Sequence, residues 1–525
     1  MKAKEYILAR PIYWVLLALV VLVCTRVPWF SDHFYNVDTP ARAVQALVCQ
    51  QTGAVPEVDV WTSTKPPGLT WLYMVVFAVF GKHIWPLQLL ALVLVGLSAI
   101  VVFALGHLLF DARAGAVAAA LYVGMTALGF EPSEWLEAQT EYPETLLALL
   151  GALALVLLVK KNSLAWAFVA GLCFAGAIWF RQNALVFPVV LVPVACVFLW
   201  RKHRWKVAAA LALGLAGFAV GCAPGVIYYY QHHALAALWL HVVTLPGDYA
   251  AKDSLVNSVI KAFWHFGAYS YYMSVPALLA GWYFLQLLKQ AGKAGFAGAF
   301  TSALVGAGML ATAIGSRYFG HYFLQFAPAL ALAAGAGAVG LGELELDEAF
   351  RRKLLALAGV ASLFFLVSSC LVVTLPLAHS SALRREQKAA RQLAEPPEDL
   401  ALAKLIKAHT DPKDTLAVVG LHAAIYWHAD RLPGVRDVWG NLLTGYFYQS
   451  AKRSLFAPFE AAYAHDLRHN QPVAVIATQG LAKLYPKVAL VLDEYYRPVT
   501  YNPDLTVWWL RSRFSVPPRF PLNLK

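Results

Sequence analysis

The chain has 525 residues, of which 60% are hydrophobic and 14% charged, a composition too apolar for a soluble globular protein and suited to many membrane spans. Its formal net charge of +12 does not point to nucleic acid, because the positive residues fall in short clusters between apolar runs, where the bias of cytoplasmic loops accounts for them. The six cysteines, Cys24, Cys49, Cys173, Cys196, Cys222 and Cys370, show no metal-ligand spacing and no disulfide pattern, and read as core packing.

At the amino end, Lys2, Lys4 and Arg10 precede an apolar stretch, 11–28, long enough to cross a bilayer as a helix. No small-residue cleavage site follows, so the expectation is an uncleaved first span with its amino end in the cytoplasm. Residues 29–69 then form a polar first external loop carrying Asp32, Asp38, Arg42, Glu57, Asp59 and Lys65. It closes on Lys65-Pro66-Pro67-Gly68, where two prolines forbid a helix and extend Thr64 and Lys65, setting the lysine on a stiff turn. The apolar stretch 69–80 is short for a span and reads as a re-entrant or interfacial helix, and 86–110 as the second span.

Further apolar runs at 114–130, 145–159, 164–180, 184–200, 207–227, 268–288, 297–314, 322–341 and 354–376 bring the total to about eleven spans of roughly 20 residues. An odd number places the carboxyl end outside. Arg113, Lys160, Lys161, the basic stretch 201–206, Lys289, Lys293, Arg351, Arg352 and Lys353 all then fall in cytoplasmic loops. The loop 131–144, with Glu131, Glu134, Glu137, Glu141 and Glu144 and no base, falls outside. The aromatic-rich stretch 228–264 reads as an interfacial belt or a cover over a site. The expected division is a membrane domain over 1–376 and an external α/β domain over 377–525. In the latter, 380–393, 400–409 and 452–469 read as helices and 415–420, 473–478 and 506–511 as strands.

The polar residues that are costly in or beside a membrane gather on the outer side: Asp38 and Lys65, Glu141 and Glu144, Arg181, and the block Arg317-Tyr318-Phe319-Gly320-His321-Tyr322. Carboxylates and cations on one surface suit an anionic headgroup with proton transfer beside it. Each also has a structural reading. Asp38 before Thr39-Pro40 can cap a helix, the cations can snorkel to phospholipid, and Glu141 and Glu144 can complement a helix dipole.

Taken in order, these features resemble the GT-C superfamily of polytopic glycosyltransferases, specifically glycosyltransferase family 39 and its bacterial relatives. That group includes protein mannosyltransferases and the aminoarabinose transferase of lipid A. The likeness rests on Asp38 with Arg42 one turn on, Gly53 to Pro56, the Lys65-Pro66-Pro67 turn, Thr140-Glu141-Tyr142-Pro143-Glu144, and the block from Gly315 through Tyr322. It extends to an external domain with Asp411-Pro412-Lys413-Asp414-Thr415 before a strand and Tyr426 after it.

The resemblance implies a multi-pass enzyme of the bacterial inner membrane with a periplasmic carboxyl domain. It implies a polyprenyl-phosphate sugar as donor, a glycan, lipid or protein acceptor, and inversion at the anomeric carbon. Asp38 is then the general base and Glu141 or Glu144 the second carboxylate. Lys65, Arg181, Arg317 and His321 are the donor-phosphate cations, with Arg42, Tyr318 and Tyr322 as neighbours in the site. No cofactor is required, and a monophosphate leaving group does not call for a divalent metal, whose presence the resemblance leaves open.

Two alternatives stand beside this one. Oligosaccharyltransferases of the same superfamily carry Trp-Trp-Asp, whereas Trp508-Trp509 here is followed by Leu510 on an expected strand. A lipid-linked substrate transporter would place charges midway along spans and repeat its halves, and the sequence shows neither.

Overall fold

The computed structural model describes residues 11–62, 64–127, 132–250, 254–289, 295–342, 397–444, 453–478, 485–502 and 505–518. The chain divides into two compact units. One comprises Met1–Ser31, Leu87–Tyr228 and Asp253–Gln387, the other Asp32–Pro86, Tyr229–Lys252 and Lys388–Lys525. The expected boundary at 376/377, the span at 354–376 and the helix at 380–393 lie outside the described residues.

The first unit is helical. Among the described residues, Pro11–Trp29, Trp85–Leu109, Glu141–Lys161, Gln182–His203, Lys206–Gln231 and Phe296–Ala313 are long and apolar enough to cross a membrane. Shorter apolar helices at Ala112–Ala127, Ala165–Phe180 and Ala327–Leu341 accompany them. Lipid offers no hydrophobic drive between helices, so close approach has to come from small residues. Lys206–Gln231 meets Ala165–Phe180 in this way: a Cβ on Gly171 would run into the carbonyl of Gly214, and one on Gly217 into that of Phe168. The opposite side of the long helix shows Leu215 70% exposed and Ile227 52% exposed, which suits contact with acyl chains.

Prolines explain where the helices depart from the apolar runs. The run at 268–288 is broken at Met273 into Leu255–Tyr272 and Ser274–Lys289, because Pro276 lacks an N–H and falls in the first turn of the second helix. The run at 145–159 belongs to a longer helix, Glu141–Lys161, with Pro143 in its first turn. That start places Glu141 and Glu144 on the helix itself. The run at 322–341 opens as a 3-10 turn, Gly320–Gln325, before Ala327–Gly342.

The second unit joins the polar segment after the first apolar helix to the carboxyl-terminal domain. Asp38–Thr52 is an amphipathic helix ended by Gly53 at φ 73°, and Gly68–Phe80 is a helix of 13 residues, too short to span. A five-stranded sheet comprises β1 (Thr415–Val419), β2 (Leu432–Pro433), β3 (Ala474–Thr478), β4 (Tyr496–Thr500) and β5 (Leu505–Leu510), in the order β2-β1-β3-β5-β4. β1 is parallel to β2 and β3, whereas β5 runs antiparallel to both β3 and β4. Helices Arg453–Asn470 and Pro486–Tyr495 contribute Leu467, Val488 and Val491 to a core with Val419, Val475 and Trp508. The two edge strands each contain a proline, Pro433 and Pro498, which an edge tolerates and a central strand does not.

Trp61 fastens the first loop to this sheet domain. It forms a parallel bridge with Asp437, its N–H donating to Arg436 O at 2.6 Å and its carbonyl accepting from Val438 N–H at 3.0 Å. The Arg436 guanidinium lies 4.9 Å from the Trp61 ring centre and binds Asp466 at 3.0 Å.

Candidate active site

Asp38 is the first residue of its helix. Val37 occupies the cap position, and the Asp38 N–H donates to Asn36 Oδ1 at 2.8 Å. Asp38 therefore does not act as the helix cap. Its carboxylate is 29% exposed and lies 3.7 Å from Lys65 Nζ, itself 18% exposed on the proline turn. A carboxylate and an ammonium held together at a partly open surface offer an acceptor hydroxyl a proton acceptor and an anionic substrate a cation side by side.

Arg42, one turn beyond Asp38, points into a buried network. Its Nη1 donates to Glu57 Oε1 at 2.9 Å and to Gln45 Oε1 at 3.1 Å. Glu57 Oε1 also accepts from Gln45 Nε2 at 3.0 Å and Thr62 Oγ1 at 3.0 Å, and its Oε2 accepts from Thr62 N–H at 3.1 Å. His241 Nδ1 lies 3.5 Å from Glu57 Oε2. Arg42 is thus a buried partner of Glu57 rather than an exposed cation.

A second cluster is built in the first unit. Glu141, fully buried, forms an ion pair with Arg181 and accepts from Thr140 Oγ1 at 3.0 Å. His321 presents Nε2 to Glu141 at 3.8 Å and pairs through Nδ1 with Glu134, which also accepts the His321 N–H at 3.2 Å. The Arg181 guanidinium lies 3.8 Å from the Tyr322 ring centre, and the His321 and Tyr322 rings meet edge to face at 4.8 Å. Glu141 is therefore the carboxylate of this cluster, and Glu144 lies buried on the same helix one turn further on. Beside His321 and Glu134 a cavity of about 20 Å³, lined also by Thr126, Trp135 and Tyr269, has room for a single water.

Arg317 is half-buried on a turn where Gly315, Ser316 and Tyr318 all have positive φ, at 93°, 52° and 51°. Positive φ in two non-glycine residues stores backbone strain, a feature that clusters at functional sites. The turn is pinned to the helix Leu255–Tyr272: Tyr318 stacks on His265 at 4.6 Å, and Ser316 Oγ bonds Ser258 Oγ at 2.8 Å.

Four residues that sequence reasoning did not single out take part. Glu134 and Glu57 were visible only as members of acidic loops. Arg26, at the end of an apolar run, is buried and donates to Trp135 O at 2.6 Å and Thr126 O at 3.2 Å, fixing the start of the acidic loop. A charge in such a run is its own signal. His241 lay in the aromatic stretch. Among the described residues no group of three His, Cys, Asp or Glu is arranged to hold a metal ion.

Apolar helices, carboxylates and cations at their ends, and a small carboxyl-terminal sheet domain define the GT-C type of polytopic membrane glycosyltransferase fold, as the sequence resemblance implied. Residues 64–228 match the family described as dolichyl-phosphate-mannose-protein mannosyltransferase. The crystal structure of ArnT from Cupriavidus metallidurans bound to undecaprenyl phosphate superposes with a TM-score of 0.61 at 15% identity, covering 95% of this chain and 97% of that one. The Archaeoglobus fulgidus oligosaccharyltransferase AglB, in complex with an inhibitory peptide and a dolichol-phosphate, gives a TM-score of 0.52 at 11% identity, with 98% and 75% covered. The same organism's oligosaccharyltransferase tethered to an acceptor peptide gives 0.54 at 10%, again with 98% and 75% covered. Comparison with curated proteins gives no match.

Proposed function

We propose that this chain is an inverting glycosyltransferase that moves a sugar from a polyprenyl-phosphate donor to an acceptor on the periplasmic face of the bacterial inner membrane. The observation that carries it is the pair Asp38–Lys65, 3.7 Å apart and partly open to solvent. Asp38 takes the proton of the acceptor hydroxyl as its oxygen forms a bond to the anomeric carbon. The bond from that carbon to the donor phosphate breaks with its electron pair going to the phosphate oxygen, whose growing charge Lys65 stabilises. A lipid-phosphate donor is supported by the ligands bound in the ArnT and AglB structures, undecaprenyl phosphate and dolichol-phosphate.

Glu141 is the second carboxylate in this scheme, and Arg181, Arg317 and His321 are the further cations for donor phosphate. The clustering of bases in alternate loops supports an orientation with the amino end in the cytoplasm and the carboxyl domain outside. The oligosaccharyltransferase reading stays second, since Trp508 and Trp509 are buried on β5 and Leu510 follows them.

The test is to mix the purified protein with a panel of undecaprenyl-phosphate sugars and acceptors and to measure released undecaprenyl phosphate. Turnover of one member supports the proposal. A panel in which none is turned over and none shifts thermal stability removes it.

A further inference from the structure

We infer that Glu57 is a positioning residue for the Asp38–Lys65 pair, acting through Arg42 on one side and Thr62 on the other, with His241 closing the network from a third segment. This rests on the transferase reading for its consequence in catalysis, but its geometry stands apart from it.

Asp38 and Lys65 lie on different segments, so the separation of their charged groups is set by whatever joins the helix Asp38–Thr52 to the segment that carries Lys65. Glu57 makes that joint. Arg42 stands one helical turn from Asp38 and binds Glu57 at 2.9 Å. Thr62, just ahead of the proline turn, gives both its N–H and its hydroxyl to the same carboxylate at 3.1 and 3.0 Å. Gln45 ties the same two elements again, donating to Glu57 Oε1 at 3.0 Å and to Val60 O at 2.8 Å.

The carboxylate is 1% exposed and sits on a residue with φ 59°, a conformation that a non-glycine residue adopts only when its surroundings fix it. Burying a charge in this way is costly unless cation and hydrogen bonds are in place, so each partner lost should loosen the joint. The third segment locks the same place. His241 sits on a π-helical turn, Leu240–Thr244, an irregularity frequent at functional sites, and Tyr229 OH donates to Pro56 O at 2.8 Å. The groups facing Glu57 are thus Arg42, Gln45, Thr62 and His241.

Two measurements on the full-length protein in detergent or nanodiscs test this. The first is the rate at which Lys65 is acylated by an amine-reactive reagent, read by peptide mass spectrometry, with Lys407 as internal control. Glu57→Gln should raise the Lys65 rate several-fold and leave Lys407 unchanged. Thr62→Val, which removes the hydroxyl's bonds to Glu57 and Gln45 but keeps the Thr62 N–H bond and the shape, should raise it less and covers the case in which Glu57→Gln fails to fold. The second is steady-state kinetics with whichever donor the panel identifies. Glu57→Gln should raise KM for the donor and lower kcat, each by about tenfold, and shift the acid limb of the pH profile, with Glu57→Asp recovering part of both. A purely structural role would reduce the folded fraction without moving KM or the pH profile. Folded variants with wild-type Lys65 labelling overturn the inference. If the wild type turns over no donor, the labelling result still decides the positioning role, and the transferase reading alone falls.

Discussion

The guanidinium of Arg181 is stacked on Tyr322 at 3.8 Å while it pairs with the fully buried Glu141. The cation is planar, and its face and its edge are both engaged, which an ammonium cannot reproduce. Arg181→Ala leaves Glu141 charged and buried without its partner and should destabilise the protein by about 3–5 kcal/mol. Arg181→Lys should recover only part of that. Thermal unfolding in nanodiscs measures both, and Arg181→Ala melting with the wild type would mean that the pair contributes nothing.

Asp38→Asn should abolish transfer while donor binding survives. The helix start does not depend on the Asp38 carboxylate, since Val37 is the cap residue and Asn36 accepts the Asp38 N–H. Loss of turnover would therefore report the missing base rather than a frayed helix. Transfer assays paired with donor-binding isotherms make the distinction, and an active Asp38→Asn enzyme would exclude the base assignment.

Lys65→Ala should weaken donor affinity by roughly tenfold to a hundredfold, the range for a charge-assisted hydrogen bond of about 1.5–3 kcal/mol. The loss should shrink as salt rises, because the site is partly exposed. Titration with undecaprenyl phosphate at low and high ionic strength reads it directly, and unchanged affinity would take the phosphate role from this lysine.

Cys49, on the buried side of the Asp38 helix, should resist alkylation in the folded protein. Burial, then the charges of Glu57 and Asp59, push its thiol from 9.0 up to about 12. Raising a thiol's pKa shrinks the reactive thiolate at neutral pH, here by roughly a thousandfold on top of steric exclusion. Reaction should speed up as pH rises toward that value and on unfolding. Because Glu57 adds to the shift, Glu57→Gln should make Cys49 more reactive at fixed pH. Iodoacetamide labelling of folded protein across pH 7–9 checks this, and rapid modification at pH 7 would contradict it.

The membrane helices were legible because apolar length is a local property. The helix Gly68–Phe80 showed its shortness in the same way, and β1, β3 and β5 their runs of buried residues. What escaped was set by prolines or by distance along the chain. The break at Met273 follows from Pro276, and β2 and β4 are short or proline-bearing edge strands with little pattern to detect. The roles of Glu134 and Glu57 depend on partners in remote segments, His321 and His241, which no spacing within a loop announces. Asp38 and Lys65 were singled out by residue type and setting; their mutual distance is a product of the fold.

Trp61 pairs with the backbone at Arg436 and Val438, and its ring is covered by Arg436 and meets Phe459 edge-on at 5.3 Å. Synthesis runs from the amino end, so this loop is made long before the Arg436–Val438 segment that pairs with it has left the ribosome. A nascent chain would carry Trp61 without its Arg436 and Val438 partners until the sheet domain is complete. The last quarter or so of the chain thereby acts as a maturation step for residues laid down early in it.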